Sequence, residues 1–229
     1  MKVGIIGPFE RNEMPYISYY EDALNKKQID YECIFWNRNK NGDIQKKDRC
    51  YTINIKCLMG INKIEKLMPI IKYMYYLNRI LKKENYTHLI ILNTIPSILI
   101  SYILLNDYKS KYILDIRDYS YEKYKIYRNR VEKIIENSYF TAISSEGFKS
   151  FLPDSRKLIT CHNISNLEEK LEECNNIKEQ ACVKIGFVGL VRYFNENSKL
   201  IKTLANNSQY ELVYYGKTHV NCNLVDYCK

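Results

Sequence analysis

Acidic and basic residues lie at the end of a predicted strand, residues 111–116, and just after it. In the stretch ILDIRDYSYE, the alternation of side chains along a strand places Asp115 and Arg117 on one face of a sheet and Asp118 on the other. Asp115 and Arg117 can form an ion pair that closes the sheet. Asp118 can cap the following helix, or it can accept a proton from a hydroxyl group as a general base. The two roles of Asp118 are compatible, and the sequence does not choose between them.

The loop GPFERN after the first apolar run is a second candidate site. Gly7 has no side chain, so a ligand can approach the backbone closely there. An ordinary turn between a strand and a helix explains the same glycine equally well. The pattern G-x-x-G lacks the third glycine of the dinucleotide fingerprint, so we predict neither NAD nor another cofactor.

The pattern K-[VI]-G-x-x-G occurs twice, at Lys2–Gly7 and at Lys184–Gly189, and helical spacing of apolar residues follows each copy. Each copy therefore predicts a strand followed by a helix. In the second copy, Arg192 lies just past the strand, and the helix is predicted to begin near Asn195, a good N-cap residue. The free N–H groups of that helix start, together with Arg192, would attract an anion.

Apolar runs of strand length alternate along the chain with segments of helical periodicity. The predicted strands are at 2–6, 31–35, 51–55, 88–92, 111–116, 139–143 and 157–161. The predicted helices are at 15–27, 62–84, 96–106, 122–137 and 145–151. This alternation is typical of an α/β fold with a Rossmann-like, doubly wound parallel sheet, which binds ligands at the carboxyl ends of its strands.

Residues 1–163 are therefore predicted to form one such domain. Residues 164–181 are acidic and polar without a strong apolar stripe, and we interpret them as a linker. Residues 182–229 are predicted to hold a strand at 182–188, a helix from about 196, a strand at 210–215 and a helix start near Val220. A doubly wound domain needs about 100 residues or more, so we expect 182–229 to be an incomplete second Rossmann-like domain.

The composition argues against several functional classes. The formal net charge is +9, but no nucleic-acid-binding motif is recognisable, and we predict no nucleic-acid partner. The eight cysteines form no C-x-x-C pair and no zinc-like cluster with histidine, so we predict no metal site and reduced thiols in the cytoplasm. The apolar stretch 88–105 is interrupted by Asn93, Thr94 and Pro96, which favours a strand, a turn and a helix over a transmembrane span.

Residues 61–85 form a predicted helix that is both basic and aromatic. It has six basic and two acidic residues, with Tyr73, Tyr75 and Tyr76 among aliphatic side chains. An ordinary helix that covers one face of the sheet is the favoured interpretation. The alternative is an element that binds a membrane surface.

Over nearly its whole length the chain resembles the GT-B nucleotide-sugar glycosyltransferases of bacterial capsule and cell-surface polysaccharide clusters. The resemblance rests on the order and spacing of five stretches: GIIGPFERN, ILDIRDYSYEKY, AISSEGFKSFLP, LITCHN and IGFVGLVRYFNENSKLIKTL followed by YELVYYGK. In that family two Rossmann-like domains face each other across a cleft. The resemblance implies that the acceptor binds mainly to the first domain and the sugar nucleotide mainly to the second.

The resemblance implies a donor side and an acceptor side. On the donor side it places the Gly7 loop, Arg192 and the helix start at Asn195 near the diphosphate of a nucleotide sugar. Many relatives carry a lysine soon after this arginine, whereas this sequence offers asparagines before Lys199.

On the acceptor side, the resemblance makes Asp118 the catalytic residue that takes or orients the proton of the acceptor hydroxyl. Arg117, Ser144 and Glu146 are the implied acceptor-binding residues. Because Ser144 and Ser145 also precede a predicted helix, an N-cap role for a serine is favoured over a direct contact with the acceptor.

The implied activity is that of a metal-independent glycosyltransferase, or the N-terminal portion of one. It would transfer a sugar from a nucleotide sugar to a glycan or lipid-linked acceptor in surface polysaccharide biosynthesis, in the cytoplasm and in peripheral contact with the inner membrane face. The E-x(7)-E pair of the family's second domain has no counterpart in residues 182–229, so we expect the chain as given to be inactive in transfer. The alternative is a non-catalytic Rossmann-like module that binds a nucleotide or glycan.

Overall fold

The structure, a computed structural model, describes residues 1–57, 63–162 and 182–218 together with Leu224. The chain divides into two compact units, Met1–Ser165 and Asn166–Lys229. The predicted linker at 164–181 and the helix start predicted near Val220 lie outside the described residues.

The described part of the first unit contains an eight-stranded sheet in the order β3-β4-β2-β1-β5-β6-β7-β8. Its strands are β1 (Lys2–Gly7), β2 (Asp30–Asn37), β3 (Ile44–Lys47), β4 (Cys50–Asn54), β5 (His88–Leu92), β6 (Tyr112–Ile116), β7 (Phe140–Ile143) and β8 (Leu158–Thr160). All neighbouring pairs are parallel except β3 with β4. The Rossmann-like α/β sheet expected from the sequence is therefore confirmed.

The antiparallel edge strand β3 was not expected from the sequence. Its four residues, IQKK, carry no apolar run, and they turn back along β4 through Asp48, which has φ of 50°. The two lysines of β3 lie at the edge of the sheet, where charged side chains hinder pairing with another chain. All strands of this sheet other than β3 are therefore parallel to one another.

Five α-helices and two 3-10 helices accompany the described sheet. The α-helices are α1 (Ile17–Lys26), α2 (Lys63–Glu84), α3 (Thr94–Leu99), α4 (Ser101–Asn106) and α5 (Lys125–Asn137). The 3-10 helices are Arg11–Glu13 and Glu146–Ser150. The helix predicted at 96–106 is therefore two short helices that meet at Ile100, and the one predicted at 145–151 is a 3-10 turn.

The two faces of the sheet bury separate apolar clusters, because successive side chains of a strand point to opposite faces. Val3 and Ile5 of β1 pack on the α1 side, together with Ile17 of α1. Ile6 packs on the other side, where helices such as α2 contribute residues like Leu77. Helices therefore cover both faces, as the doubly wound interpretation requires.

The second unit, where described, has two parallel strands, β9 (Val183–Val188) and β10 (Tyr210–Tyr215), joined by helix α6 (Phe194–Leu204). Its small core is centred on Val191 and Leu224, the buried apolar residues of this unit in the described part of the chain. Gly216 has φ of 153°, and a Cβ atom there would lie 1.8 Å from the carbonyl oxygen of Gly189. A glycine is therefore required where the ends of β9 and β10 meet.

Candidate functional site

The strand order of the first unit reverses between β1 and β5. The chain proceeds from β1 outwards to β2 and β4, and then returns to β5 on the other side of β1. At such a reversal the loops after the two central strands separate, and a crevice opens at the carboxyl ends of the strands. The loop after Gly7 and the turn at Asn93 border this crevice, so the residues that follow the strands form the candidate site.

The Asp115 carboxylate is fully buried at this edge. Its side chain is 0% exposed, and that of Arg117 is 6% exposed. Arg117 Nε donates to Asp115 Oδ1 at 2.5 Å, and Arg117 Nη2 donates to Asp115 Oδ2 at 2.9 Å. The placement of these two residues on one face, predicted from strand alternation, is confirmed, and so is the ion pair.

Tyr20 of α1 completes the surroundings of this carboxylate by donating its hydroxyl to Asp115 Oδ2 at 2.6 Å. Burial raises the pKa of Asp115, and the hydrogen bonds from Arg117 and Tyr20 only partly oppose that rise. Burial and the nearby Asp115 charge also raise the pKa of Tyr20, which stays a hydroxyl donor. Tyr20 was not identified from the sequence because it lies 95 positions from its partner.

Arg117 also ties two strands together at the carboxyl edge. Its Nη1 atom donates to the carbonyl oxygen of Cys161, just after β8, at 2.8 Å. The Tyr16 ring lies under the guanidinium, with its centroid 5.0 Å away. Burial lowers the pKa of Arg117, but the Asp115 carboxylate outweighs that effect and raises it. Arg117 is thus a charged, fixed part of the wall; its contact with an acceptor stays a prediction.

Asp118 lies exposed on the loop that follows β6. In the part of the chain that the structure describes, its carboxylate has no hydrogen-bond or ion-pair partner. It does not cap the next helix, as one interpretation proposed, because α5 begins at Lys125 with Tyr124 at its N-cap position. The Asp118 carboxylate is therefore open to a ligand, and its role as a general base stays a prediction.

A buried hydrogen-bond network holds the loop that carries Asp118. Glu122, which is 2% exposed, accepts from the Thr94 hydroxyl at 3.1 Å and from the Ser120 N–H at 2.6 Å. Tyr127 of α5 donates to the Thr94 hydroxyl at 2.8 Å. These contacts join the loop to the start of α3, so the site edge is fixed by groups the sequence did not single out.

Asn93 directly follows β5, at the strand-order reversal, and has an unusual backbone conformation. Its φ of 86° and ψ of 154° lie in a region that residues with side chains rarely occupy. The side-chain oxygen accepts from the Ile95 N–H at 3.0 Å and so caps α3, while its own N–H donates to the Asp115 carbonyl at 2.7 Å. The sequence LNTIP carries the signal, an N-cap residue before a proline-containing helix start.

Gly7 is buried at the end of β1, and packing explains why it is a glycine. A Cβ atom there would lie 2.4 Å from Met14 Cε and 3.1 Å from Phe35 Cδ1. The carbonyl oxygen of Gly7 accepts from the hydroxyl of Tyr73 at 3.2 Å. The glycine therefore makes room for Met14, and its contact with donor phosphates stays a prediction.

Ser144, Ser145 and Glu146 follow β7 at the same edge. The Ser144 carbonyl oxygen lies 3.2 Å from His162 Nδ1. Ser145 occupies the N-cap position of the 3-10 helix, but its side chain makes no capping hydrogen bond. Glu146 is exposed and pairs with Lys149 at 2.6 Å, which lowers the pKa of its carboxyl group. A serine therefore occupies the N-cap position as expected but makes no capping hydrogen bond, and acceptor binding stays a prediction.

In the second unit the helix starts earlier than the sequence suggested. Helix α6 begins at Phe194 with Tyr193 at its N-cap position, so Asn195 lies inside the first turn and is not the cap. Asn197 fixes this helix start instead: its Nδ2 atom donates to the carbonyl oxygens of Arg192 at 2.5 Å and Tyr193 at 3.0 Å. The prediction failed because Tyr193 adopts a left-handed conformation, with φ of 58°, that sequence does not reveal.

Arg192 is exposed just before this helix. Among the described residues its guanidinium forms no ion pair. The placement of an arginine beside a helix start agrees with the expected arrangement for an anion, while donor binding by Arg192 and Asn195 stays a prediction.

Residues 1–57, 63–162 and 182–218 bring together no group of three or more His, Cys, Asp or Glu side chains that could hold a metal ion. No helix within these ranges combines the length and the apolar character needed to cross a membrane.

A scan of protein-family models and a search of curated proteins found no match. Solved structures do match. The sucrose-phosphate synthase of Thermosynechococcus elongatus matches with a TM-score of 0.60 at 12% identity, over 93% of this chain and 62% of its own. The apo lipopolysaccharide outer core galactosyltransferase WaaB matches with a TM-score of 0.59 at 14% identity, over 96% and 62%.

The UDP-N-acetylglucosamine 2-epimerase of Rickettsia bellii matches with a TM-score of 0.56 at 13% identity, over 96% of this chain and 62% of its own. The chain thus spans 62% of the length of each of these three proteins. At such low identity the likeness is one of fold, and it confirms a Rossmann-like α/β fold of the GT-B type.

Proposed function

We propose that this chain belongs to an enzyme that transfers a sugar from a nucleotide sugar to a glycan or lipid-linked acceptor. The observation that carries the proposal is the exposed Asp118 beside the fixed Asp115–Arg117 pair, at the strand-order reversal of a GT-B-type sheet. The fold shared with a galactosyltransferase and with a UDP-sugar epimerase supports it. Biosynthesis of surface polysaccharides is the proposed setting.

The proposed mechanism assigns the acceptor side to the first unit. Asp118 takes the proton of the acceptor hydroxyl as it attacks the anomeric carbon of the donor sugar. The buried Asp115–Arg117 pair keeps the β6 end and its loop in place. Ser144 and Glu146 are proposed to bind acceptor hydroxyl groups from the neighbouring strand end.

In the second unit, Arg192 and the first turn of α6, which contains Asn195, are proposed to bind the donor. In the first unit, the Gly7 loop is proposed as a donor-binding element. The departing group is a nucleotide diphosphate, so its negative charge has to be neutralised in the transition state. Arginine and the free N–H groups of a helix start can do this without a metal ion. The proposal is therefore a metal-independent transfer.

A lipid-linked acceptor would place the protein at the inner membrane face. The exposed apolar side chains of α2 recur at helical spacing along one stripe: Ile64, Leu67, Met68, Ile71 and Tyr75. Basic residues such as Lys72 and Arg79 lie exposed on the same helix. An apolar stripe next to basic side chains suits the surface of an anionic bilayer, which supports peripheral contact as part of the proposal.

A second candidate function is nucleotide-sugar epimerisation. It is favoured by the match to the UDP-N-acetylglucosamine 2-epimerase, which covers 96% of this chain. Incubation with UDP-N-acetylglucosamine alone separates the two candidates. An epimerase converts the sugar without an acceptor, which NMR detects as a new anomeric signal, whereas a transferase gives no such product.

Calorimetric titration with UDP-galactose and UDP-N-acetylglucosamine tests donor binding. We expect Arg192→Gln to weaken binding by about 1.5 to 3 kcal/mol, the range for a charge-assisted hydrogen bond. Arg156→Gln is the matched control, because it removes an equally exposed arginine from the first unit. Equal affinities of the wild type and Arg192→Gln would remove Arg192 from the donor site.

Because the chain as given is expected to be inactive in transfer, Asp118→Asn tests the acceptor side in an active transferase that contains this chain. It should leave donor affinity unchanged while it lowers the rate of transfer to a lipid-linked acceptor by about 100- to 10,000-fold, the usual contribution of a general base. An unchanged rate would contradict the assignment of Asp118.

A further inference from the structure

Arg38 follows β2 at the carboxyl edge of the first unit, and two aromatic rings hold its guanidinium. The centroid of the Trp36 ring lies 4.2 Å from Arg38 Cζ, and that of Phe9 lies 4.5 Å from it. Trp36 in turn stacks on Tyr73 of α2 with ring centroids 4.4 Å apart. The guanidinium is thus fixed by stacking on aromatic faces, which leaves its N–H edge for other partners.

Arg38 is half-buried, and it lacks polar partners for its side chain among the described residues. Its Nε atom is buried and has no hydrogen-bond partner among the described residues. None of the ion pairs formed by the described side chains includes it. Burial lowers the pKa of Arg38. Since a buried donor without a partner costs about 1–3 kcal/mol, the arrangement suggests that a ligand supplies the acceptor.

Arg38 lines a cavity of about 110 Å³ at the carboxyl ends of β2 and β5. Lys66 of α2 is a second cation in its wall, and Ile70 and Ile95 are apolar parts of that wall. None of the described residues that line it is an acid. At about 30 Å³ per water molecule, the cavity has room for a group of several heavy atoms.

We propose that this cavity binds a phosphate group, held by the N–H edge of Arg38 and by the ammonium group of Lys66. Two cations without an acid match the charge of a phosphate, which is close to −2 at neutral pH. The guanidinium fork fits two oxygens of such a group. The assignment does not depend on sugar transfer, and the phosphate belongs either to a soluble phosphate compound or to a lipid headgroup.

The position of the cavity suits both sources. Ile95 connects it to the strand-order reversal at Asn93, where soluble ligands of this fold class bind. Lys66 connects it to α2, the helix with the exposed apolar stripe. A phosphate in this cavity would therefore lie between the candidate site and the surface proposed to contact lipid.

The fluorescence of Trp36 tests the proposal, because this is the single tryptophan of the chain and lines the cavity. The full chain is titrated with inorganic pyrophosphate at constant ionic strength, and separately with vesicles of phosphatidic acid and of phosphatidylcholine. We expect a saturable change with pyrophosphate or with phosphatidic acid, and none with phosphatidylcholine. Saturation by pyrophosphate identifies a soluble source, and saturation by phosphatidic acid alone identifies a lipid source.

Charge variants separate a built site from general attraction of anions. Arg38→Gln should weaken binding of the active probe by about 10- to 100-fold, and Arg38→Lys, which keeps the charge but not the fork, by less. Arg49→Gln is the control for Arg38→Gln, because Arg49 also stacks on a ring, that of Tyr31, but lies outside the cavity. Lys109→Gln is the control for Lys66→Gln, because Lys109 is an exposed lysine of the first unit that lies outside both the cavity and α2.

For each variant, the melting temperature with the probe is compared with the melting temperature of the same variant without it. A change in stability is then not mistaken for a change in binding. The wild type and both controls should gain thermal stability with the active probe, and Arg38→Gln should gain less at the same probe concentration. Two results would overturn the proposal. One is a Trp36 signal unaffected by both phosphate probes, and the other is an equal loss of binding in Arg49→Gln and Arg38→Gln.

Discussion

Replacement of Asp115 by asparagine tests how the candidate site is held together. The carboxylate is 0% exposed and accepts hydrogen bonds from Arg117 and from Tyr20. Asparagine keeps the size of the side chain but removes the charge, and it turns one acceptor into an NH₂ group that faces donors. Arg117, only 6% exposed, would then be a buried cation without its counter-ion.

The expected loss follows from these contacts. Removal of one partner from a buried ion pair typically costs about 3–5 kcal/mol, because the other charge stays buried and uncompensated. Arg117 keeps its hydrogen bond to the Cys161 carbonyl. We therefore expect the loss of stability in Asp115→Asn to lie near the lower end of this range, at about 3 kcal/mol. Against a usual total of about 5–15 kcal/mol for a folded domain, this is a large fraction.

Urea unfolding followed by Trp36 fluorescence measures this loss in the first unit. Asp154→Asn, an exposed aspartate, is the control for the change in net charge. The double variant Asp115→Leu, Arg117→Met removes both charges, and we expect it to be more stable than Asp115→Asn because no unpaired charge remains. A loss below about 1 kcal/mol for Asp115→Asn, or a double variant that is less stable than Asp115→Asn, would refute the reasoning.

Two further predictions concern the first unit. Hydrogen bonds from Lys2 and Tyr51 lower the pKa of Glu84 from its usual 4.5 to about 2, so its contribution to stability is present above about pH 4.5 and is lost as the pH falls towards 2. Glu84→Gln should therefore cost about 2 kcal/mol at pH 7, allowing for solvent screening, and almost nothing at pH 2, as urea unfolding at both pH values can measure. Gly7→Ala should cost about 1–3 kcal/mol because its Cβ meets Met14, whereas Gly147→Ala, with no atom closer than 3.5 Å, should be nearly neutral in the same assay.

Much of the first unit could be predicted because its signals are local. Continuous apolar runs located the parallel strands to within a residue or two, since a buried strand has to be apolar on both faces. Strand alternation placed Asp115 and Arg117 on one face, and their ion pair needs only two residues of separation. The exception is β3, where only one of four residues is apolar, so that no apolar pattern marks the strand; it is stabilised by pairing with β4.

Other features of the site depend on residues far apart in the chain. The contact of Tyr20 with Asp115 joins positions 95 residues apart, and the cage around Arg38 needs Phe9 and Trp36 to meet at adjacent strand ends. Neither composition nor spacing encodes such meetings directly, because they follow from the order of strands in the sheet.

The sequence by itself determined the alternation of strands and helices, the repeated strand-helix unit and the polar residues that end the strands. These follow from side-chain periodicity and from the preferences of glycine and capping residues, which act over a few positions. Only the tertiary structure decided that the strand order reverses between β1 and β5, and therefore which strand ends form a crevice. Strand order is set by burial of the whole sheet against its helices, a free energy summed over distant parts of the chain.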